Sequence, residues 1–266
     1  MMIKNNAPIG LFDSGIGGTS VWREIQQRLP SESTILIADS ANAPYGERSH
    51  AQIIDLCCQN CETLLDKGCK LIVVACNTAT TNAIQTLRAR YKVPFVGIEP
   101  AVKPAAIVSH TRKIGILATK GTLSSDFFHQ RSAELIKAYR IQLIEQCGTG
   151  IVERIEAGKL DTEEMREHLQ YLLAPLLAAN IDMLVLGCTH YPYLRAQLRT
   201  ILPMNIKIVD AEEAVARQTA RLLAENDLLA NEQHRPEHQW FSTGEVAILK
   251  QFVPEYCQVD VAPLVR

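Results

Sequence analysis

Eight short runs of mostly apolar residues, rich in Ile, Val and Leu, punctuate the first 210 residues: IGLF (9–12), TILIAD (34–39), KLIVVA (70–75), PFVGI (94–98), KIGILA (113–118), IQLIEQ (141–146), DMLVLG (182–187) and KIVD (207–210). Stretches with helical spacing separate them. The runs are apolar on both faces instead of alternating with polar residues. A strand with no wet face belongs in a parallel sheet covered by helices on both sides. The pattern predicts an α/β chain with doubly wound parallel sheets.

The runs also repeat. IGLFDSGIGGTS (9–20) parallels KIGILATKGTLS (113–124), and LIVVACNTATT (71–81) parallels MLVLGCTHYPY (183–193), at offsets of 105 residues (Ile9 on Ile114) and 112 residues (Leu71 on Met183). Such an echo implies two similar lobes rather than a short-period solenoid. Pro100 and Pro104 in EPAVKP mark a first crossing between lobes, with a return near Asp210. The expected division is residues 1–98 plus 211–266 for one lobe and 99–210 for the other. Ligands in sheets of this kind bind at the carboxyl ends of strands, which puts an active site in the cleft between lobes.

Composition excludes several classes. The formal net charge is −2, with Lys and Arg scattered instead of striped, so nucleic acid is not an expected partner. No apolar run approaches the roughly 18 residues of a membrane span. The N-terminus lacks the charged and apolar regions of a secretory signal. A soluble, cytoplasmic protein is expected, and its eight cysteines are expected to be reduced. Cys58 and Cys61 form a CxxC, but within a helical pattern and with no second pair. They read as small buried side chains, and no metal site is expected.

Two cysteines stand apart. Cys76 and Cys188 each end an apolar run, one per lobe, and each is followed by polar residues and an expected helix start. A helix N-terminus favours a thiolate. Facing each other across a cleft, one thiol would take a proton from a carbon while the other returned one to the opposite face. Packing alone is the alternative, and a matched pair with polar loops favours chemistry. Asn77, Thr78 and Thr189 supply donors for a carboxylate. Asp13 would hold an ammonium group or tune a thiol, or else cap a helix. The turn Asn42–Gly46 would lend Tyr45 and the Gly46 backbone to the cleft. His190 is a candidate acid or base, or a structural histidine.

Together DSGIGG (13–18), NAPYG (42–46), ACNTAT (75–80) and GCTHYP (187–192) resemble the glutamate racemase family of the aspartate/glutamate racemase superfamily. WFSTGE (240–245) is similar to that family's terminal strand and turn. The resemblance implies interconversion of L- and D-glutamate without cofactor or metal, supplying D-glutamate for peptidoglycan. It implies Cys76 and Cys188 as the acid/base pair, with the first acting on D-glutamate and the second on L-glutamate. Asp13, Ser14, Tyr45, Gly46, Asn77, Thr78, Thr189 and His190 would bind substrate, and Asp13 and His190 would also assist the thiols. Glu153 is carried over as a further carboxylate near the second cysteine, and Thr119 as a further contact. A homodimer is also implied. Some relatives carry an N-terminal extension and need a muramyl nucleotide activator. The first strand lies only eight residues in, so that mode is not expected here.

Three other classes compete. Gly15, Gly17 and Ser20 after a strand, with Asp39 ending the next, approach a dinucleotide fingerprint. Ser20 replaces its third glycine, Asp13 would repel a pyrophosphate, and the cysteine pair would have no role. A hydrolase using Cys188 with His190 leaves Cys76 idle. A two-lobed amino-acid-binding module needs neither thiol. Within the superfamily, aspartate is the nearest competing substrate.

Overall fold

All eight apolar runs become strands in the computed structural model, which describes residues 5–254 and 259–261; Cys257 lies outside the described residues. They are β1 (Ile9–Asp13), β2 (Thr34–Ala38), β3 (Leu71–Val74), β4 (Phe95–Gly97), β5 (Lys113–Ala118), β6 (Gln142–Cys147), β7 (Met183–Gly187) and β8 (Lys207–Val209). Two more follow, β9 (His238–Ser242) and β10 (Val259–Val261). The helices are α1 (Gly18–Arg28), α2 (His50–Asp66), α3 (Asn77–Arg90), α4 (Val102–Val108), α5 (Lys120–Leu123), α6 (Asp126–Tyr139), α7 (Ile151–Glu156), α8 (Glu163–Ala178), α9 (Arg195–Ile201), α10 (Glu212–Glu225) and α11 (Val246–Lys250).

The strands form two sheets, ordered β10-β9-β2-β1-β3-β4 and β6-β5-β7-β8, and every pairing is parallel. The orders β2-β1-β3-β4 and β6-β5-β7-β8 are the same topology twice, so the echo in the sequence is an echo in the fold. Each lobe is thus a doubly wound α/β unit. β1, β2, β3 and β7 are buried along their whole length, as strands covered on both faces must be. β6 differs: its residues are partly exposed because it forms the free edge of its sheet.

In both lobes the third strand in sequence lies next to the first, near the middle of its sheet, and its carboxyl end carries a cysteine. Cys76 follows β3 and Cys188 follows β7. The helix α2 is fixed at its start by a reciprocal cap, Ser49 accepting from the Gln52 N–H while the Gln52 side chain accepts from the Ser49 N–H. Its Cys57, Cys58 and Cys61 are buried against the first sheet. Among the described residues no group of three or more His, Cys, Asp or Glu side chains could hold a metal, and no helix is long and apolar enough to cross a membrane.

Candidate active site

The carboxyl ends of β1, β3 and β7 meet at one small cavity between the lobes. Its lining includes Cys76 and Cys188, with Ser14, Tyr45, Gly46, Asn77, Thr78, Thr119 and Thr189. Both thiols are almost wholly buried, at 5% and 6% exposure. The space between the walls is about 10 Å³. By that measure a single water needs roughly 10–15 Å³, so the lobes are closed on one another.

Around Cys76 the support comes from its own lobe. The residue is the N-cap of α3, and its sulfur accepts the Ala79 N–H at 3.4 Å. The thiol donates toward Ser14 Oγ at 3.6 Å, and Ser14 in turn donates to Asp13 Oδ1 at 3.1 Å. The expectation that a helix start would leave this thiol readily ionised is not met in the closed cleft. Burial pushes the Cys76 thiol well up and the Asp13 carboxylate adds to the rise, while the Ala79 N–H and Ser14 only oppose it. Asp13 is itself raised, first by burial, with His190 and the Thr189 hydroxyl pulling the other way.

Cys188 is built differently. It precedes a 3-10 turn, Tyr191–Leu194, and not an α-helix, so the helix-dipole argument loses most of its force there. Its neighbour is His190, whose Nδ1 lies 3.8 Å from the sulfur. Nε2 of the same ring lies 2.6 Å from Glu156 Oε1. Burial lowers the affinity of His190 for a proton, but Cys188 and Glu156 outweigh it and leave the imidazole well above its usual range. Both contacts thus favour a proton on the ring beside the second sulfur.

Glu156, and not Glu153, is the carboxylate that reaches this cysteine's partner. Both lie on α7 one turn apart, but Glu153 is exposed. Glu156 crosses the cleft: Oε1 accepts the Ile16 N–H at 2.7 Å and Oε2 accepts from Ser40 Oγ at 2.9 Å. Burial alone would raise its pKa, yet His190 and these donors lower it.

The same contact accounts for DSGIGG. A Cβ on Gly15 would lie 1.8 Å from Glu156 Oε1, and one on Gly17 would lie 2.5 Å from His190 Nδ1. These glycines admit the facing lobe. The N–H that a dinucleotide pyrophosphate would use is already held by a carboxylate of the chain itself, which removes the dehydrogenase reading. Thr189 Oγ1 completes the crossing by donating to Asp13 Oδ2 at 2.8 Å.

Tyr45 departs from expectation in its hydroxyl. It lines the cavity, but its OH donates to Asp39 Oδ2 at 2.5 Å and is turned into the first lobe. Asn60 and Thr243 also donate to Asp39, at 3.4 and 2.8 Å, so Asp39 pins the Asn42–Gly46 turn. Thr78 and Thr119 meet hydroxyl to hydroxyl across the cleft at 2.7 Å. Asn77 lines the cavity while its amide donates to Ile98 O at 3.4 Å.

Comparison with known proteins finds relatives over nearly the whole chain. The family profile described as Asp/Glu/hydantoin racemase matches residues 9–219. A glutamate racemase of Ectopseudomonas mendocina is 45% identical over 98% of this chain and 100% of its own. The crystal structure of a glutamate racemase isoform from Bacillus anthracis superposes with a TM-score of 0.87 at 30% identity, covering 98% of both chains. The Escherichia coli glutamate racemase, in complex with L-glutamate and the activator UDP-MurNAc-Ala, superposes with a TM-score of 0.83 at 32% identity, covering 96% of this chain and 98% of its own.

Proposed function

The chain belongs to the Asp/Glu/hydantoin racemase family, and from that premise we propose that it is a glutamate racemase, interconverting L- and D-glutamate without a cofactor. The observation that carries this reading is the pair of thiols, Cys76 and Cys188, lining one cavity from opposite sheets. A substrate Cα held between them has one sulfur on each face. One thiolate removes the α-proton, the opposite thiol delivers a proton to the other face, and the configuration inverts.

The Cα–H of an amino acid is a weak acid, and a desolvated thiolate is a stronger base than a solvated one. The substrate ammonium brings a positive charge to the cleft and favours the thiolate that burial opposes. In this reading Cys76 acts on D-glutamate and Cys188 on L-glutamate. Asp13 assists the first thiol, and His190, held by Glu156, assists the second. Ser14, Asn77, Thr78, Thr189 and His190 supply groups for the carboxylates and ammonium, with the Gly46 backbone and the Tyr45 ring closing one wall. The division of lobes at 1–98 with 211–266 and at 99–210 is supported by β1–β4 and β9–β10 sharing one sheet and β5–β8 the other. The product would serve peptidoglycan synthesis in the cytoplasm. A homodimer is part of the same proposal, supported by Ile107 and Val108 on α4 and Ile136 on the adjoining α6, all exposed.

The test is Cα proton exchange and optical rotation in deuterated water with each enantiomer of glutamate and no added cofactor. Racemisation is expected, and Cys76→Ser or Cys188→Ser lowers it by at least about 10³-fold. Turnover of aspartate in place of glutamate would overturn the substrate assignment, and racemisation surviving either substitution would overturn the two-thiol mechanism.

A further inference from the structure

Two glycines seal the cleft. Gly121 lies in α5 of the second lobe and Gly46 in the 3-10 turn Tyr45–Glu47 of the first. A Cβ placed on Gly121 would lie 2.8 Å from Thr78 Cγ2, 3.0 Å from Gly46 Cα and 3.2 Å from Gly46 O. A Cβ on Gly46 would lie 3.0 Å from Thr119 Cβ. Neither glycine has a positive φ. Within a helical turn alanine is the better residue, so backbone conformation gives no reason for glycine at either position. What excludes a side chain is the opposing lobe.

Around this seam the lobes are also latched. Asn82 Nδ2 donates to Gly121 O at 3.0 Å, and Lys120 Nζ lies 3.7 Å from Glu47 Oε2. On the inner side lies the water-sized gap between the thiols. On the outer side lies a groove of about 600 Å³, lined by Gly46 and Gly121 themselves and by Arg48, His50, Asn82 and Lys120. The seam is the partition between the two spaces, since Gly46 borders both and Gly121 packs on it.

We infer that the Gly46–Gly121 contact is the door of the active site: substrate passes from the outer groove to the thiols when the turn and α5 part, and the missing side chain at Gly121 lets them close again. Gly121 is thus a positioning residue that sets how far the lobes close around the reacting carbon. The identity of the substrate rests on the glutamate racemase reading, whereas the seam itself does not.

The experiment alkylates Cys76 and Cys188 with iodoacetamide, resolved by peptide mass spectrometry, in the full chain and in Gly121→Ala and Gly46→Ala variants. Thermal midpoint and racemisation are recorded for each. The added methyl in Gly121→Ala is expected to raise alkylation of both thiols by about tenfold and to lower kcat by a similar factor. The thermal midpoint stays within a degree or two of wild type, and glutamate slows alkylation in wild type more than in the variant. Gly46→Ala shifts the same readouts in the same direction by less, and it decides the matter if Gly121→Ala does not fold. Alkylation at the wild-type rate in a folded variant overturns the inference. So does faster alkylation accompanied by a general fall in thermal midpoint, which would mark loosening instead of an opened seam. A wild type that fails to racemise glutamate removes the substrate assignment, while the alkylation comparison still tests the door.

Discussion

The surroundings of Cys76 and of Cys188 are the same strand-and-cysteine design carried out with different means. Cys76 draws on its own lobe: the start of a 14-residue helix, the Ala79 N–H and Ser14, with Asp13 behind. Cys188 has only a short 3-10 turn after it and is served by His190, whose carboxylate partner is oriented by Ile16 and Ser40 of the opposite lobe. The direct partners of the Cys76 sulfur lie in one lobe, while the support of Cys188 reaches across both. The chemistry is symmetric, but the electrostatics are not.

The widest expected difference comes from removing the imidazole. His190→Asn is expected to lower kcat/KM by about 10²-fold. L- and D-glutamate have equal free energies in water, so kcat/KM must fall equally in both directions. Asymmetry between the thiols therefore shows only in how each direction divides its loss between kcat and KM, and in the isotope effect of each direction measured with Cα-deuterated substrate. A symmetric division would break the comparison.

Glu156→Gln is expected to be milder, about tenfold, because the imidazole stays in place. Its mark is on pH dependence. Glu156 helps to hold His190 above its ordinary value of 6.5, so its loss moves the alkaline limb of the activity profile toward lower pH. The sign for stability follows from the same pair. His190 is raised on folding, so its contribution is complete below 6.5 and fades as pH climbs through the raised folded value. Glu156 is lowered, so its contribution is complete above 4.5 and fades as pH falls through the lowered one. An alkaline limb that does not move in the variant would detach Glu156 from the second thiol.

The smallest effect belongs to the first site. Ser14→Ala removes a long contact at 3.6 Å from Cys76 and is expected to cost only about three- to fivefold in kcat. A loss equal to that of His190→Asn, measured under the same conditions, would mean that the two thiols depend alike on a side-chain partner.

Most of this architecture is legible in the chain because burial on both faces leaves a plain signature. β1 to β8 coincide with the apolar runs, although β6 lies at a sheet edge and is not buried on both faces, and the repeated topology follows from their echo. β9, HQWFS, begins with polar residues and was marked only by likeness to a known terminal strand. β10 has three residues at a sheet edge, too few for a pattern. Within the site, the cysteines stand out because their polar successors have no place in a core. Glu153 and Glu156 are one helical turn apart, and spacing alone cannot choose between them. The choice is made by Gly15, whose bare backbone lets a carboxylate from the facing lobe approach. The direction of the Tyr45 hydroxyl is likewise set by Asp39, a pairing that only the fold brings about.

The pairing of β2 with β9 joins Thr34 to His238, across more than two hundred residues of chain. At a ribosomal pace of roughly 5–20 residues per second, β2 waits on the order of 10–40 seconds for its neighbour. The four strands of the second sheet, by contrast, are contiguous in sequence and close among themselves meanwhile. During synthesis the protein therefore carries a finished half and an open apolar edge side by side, the arrangement that chaperones exist to shield.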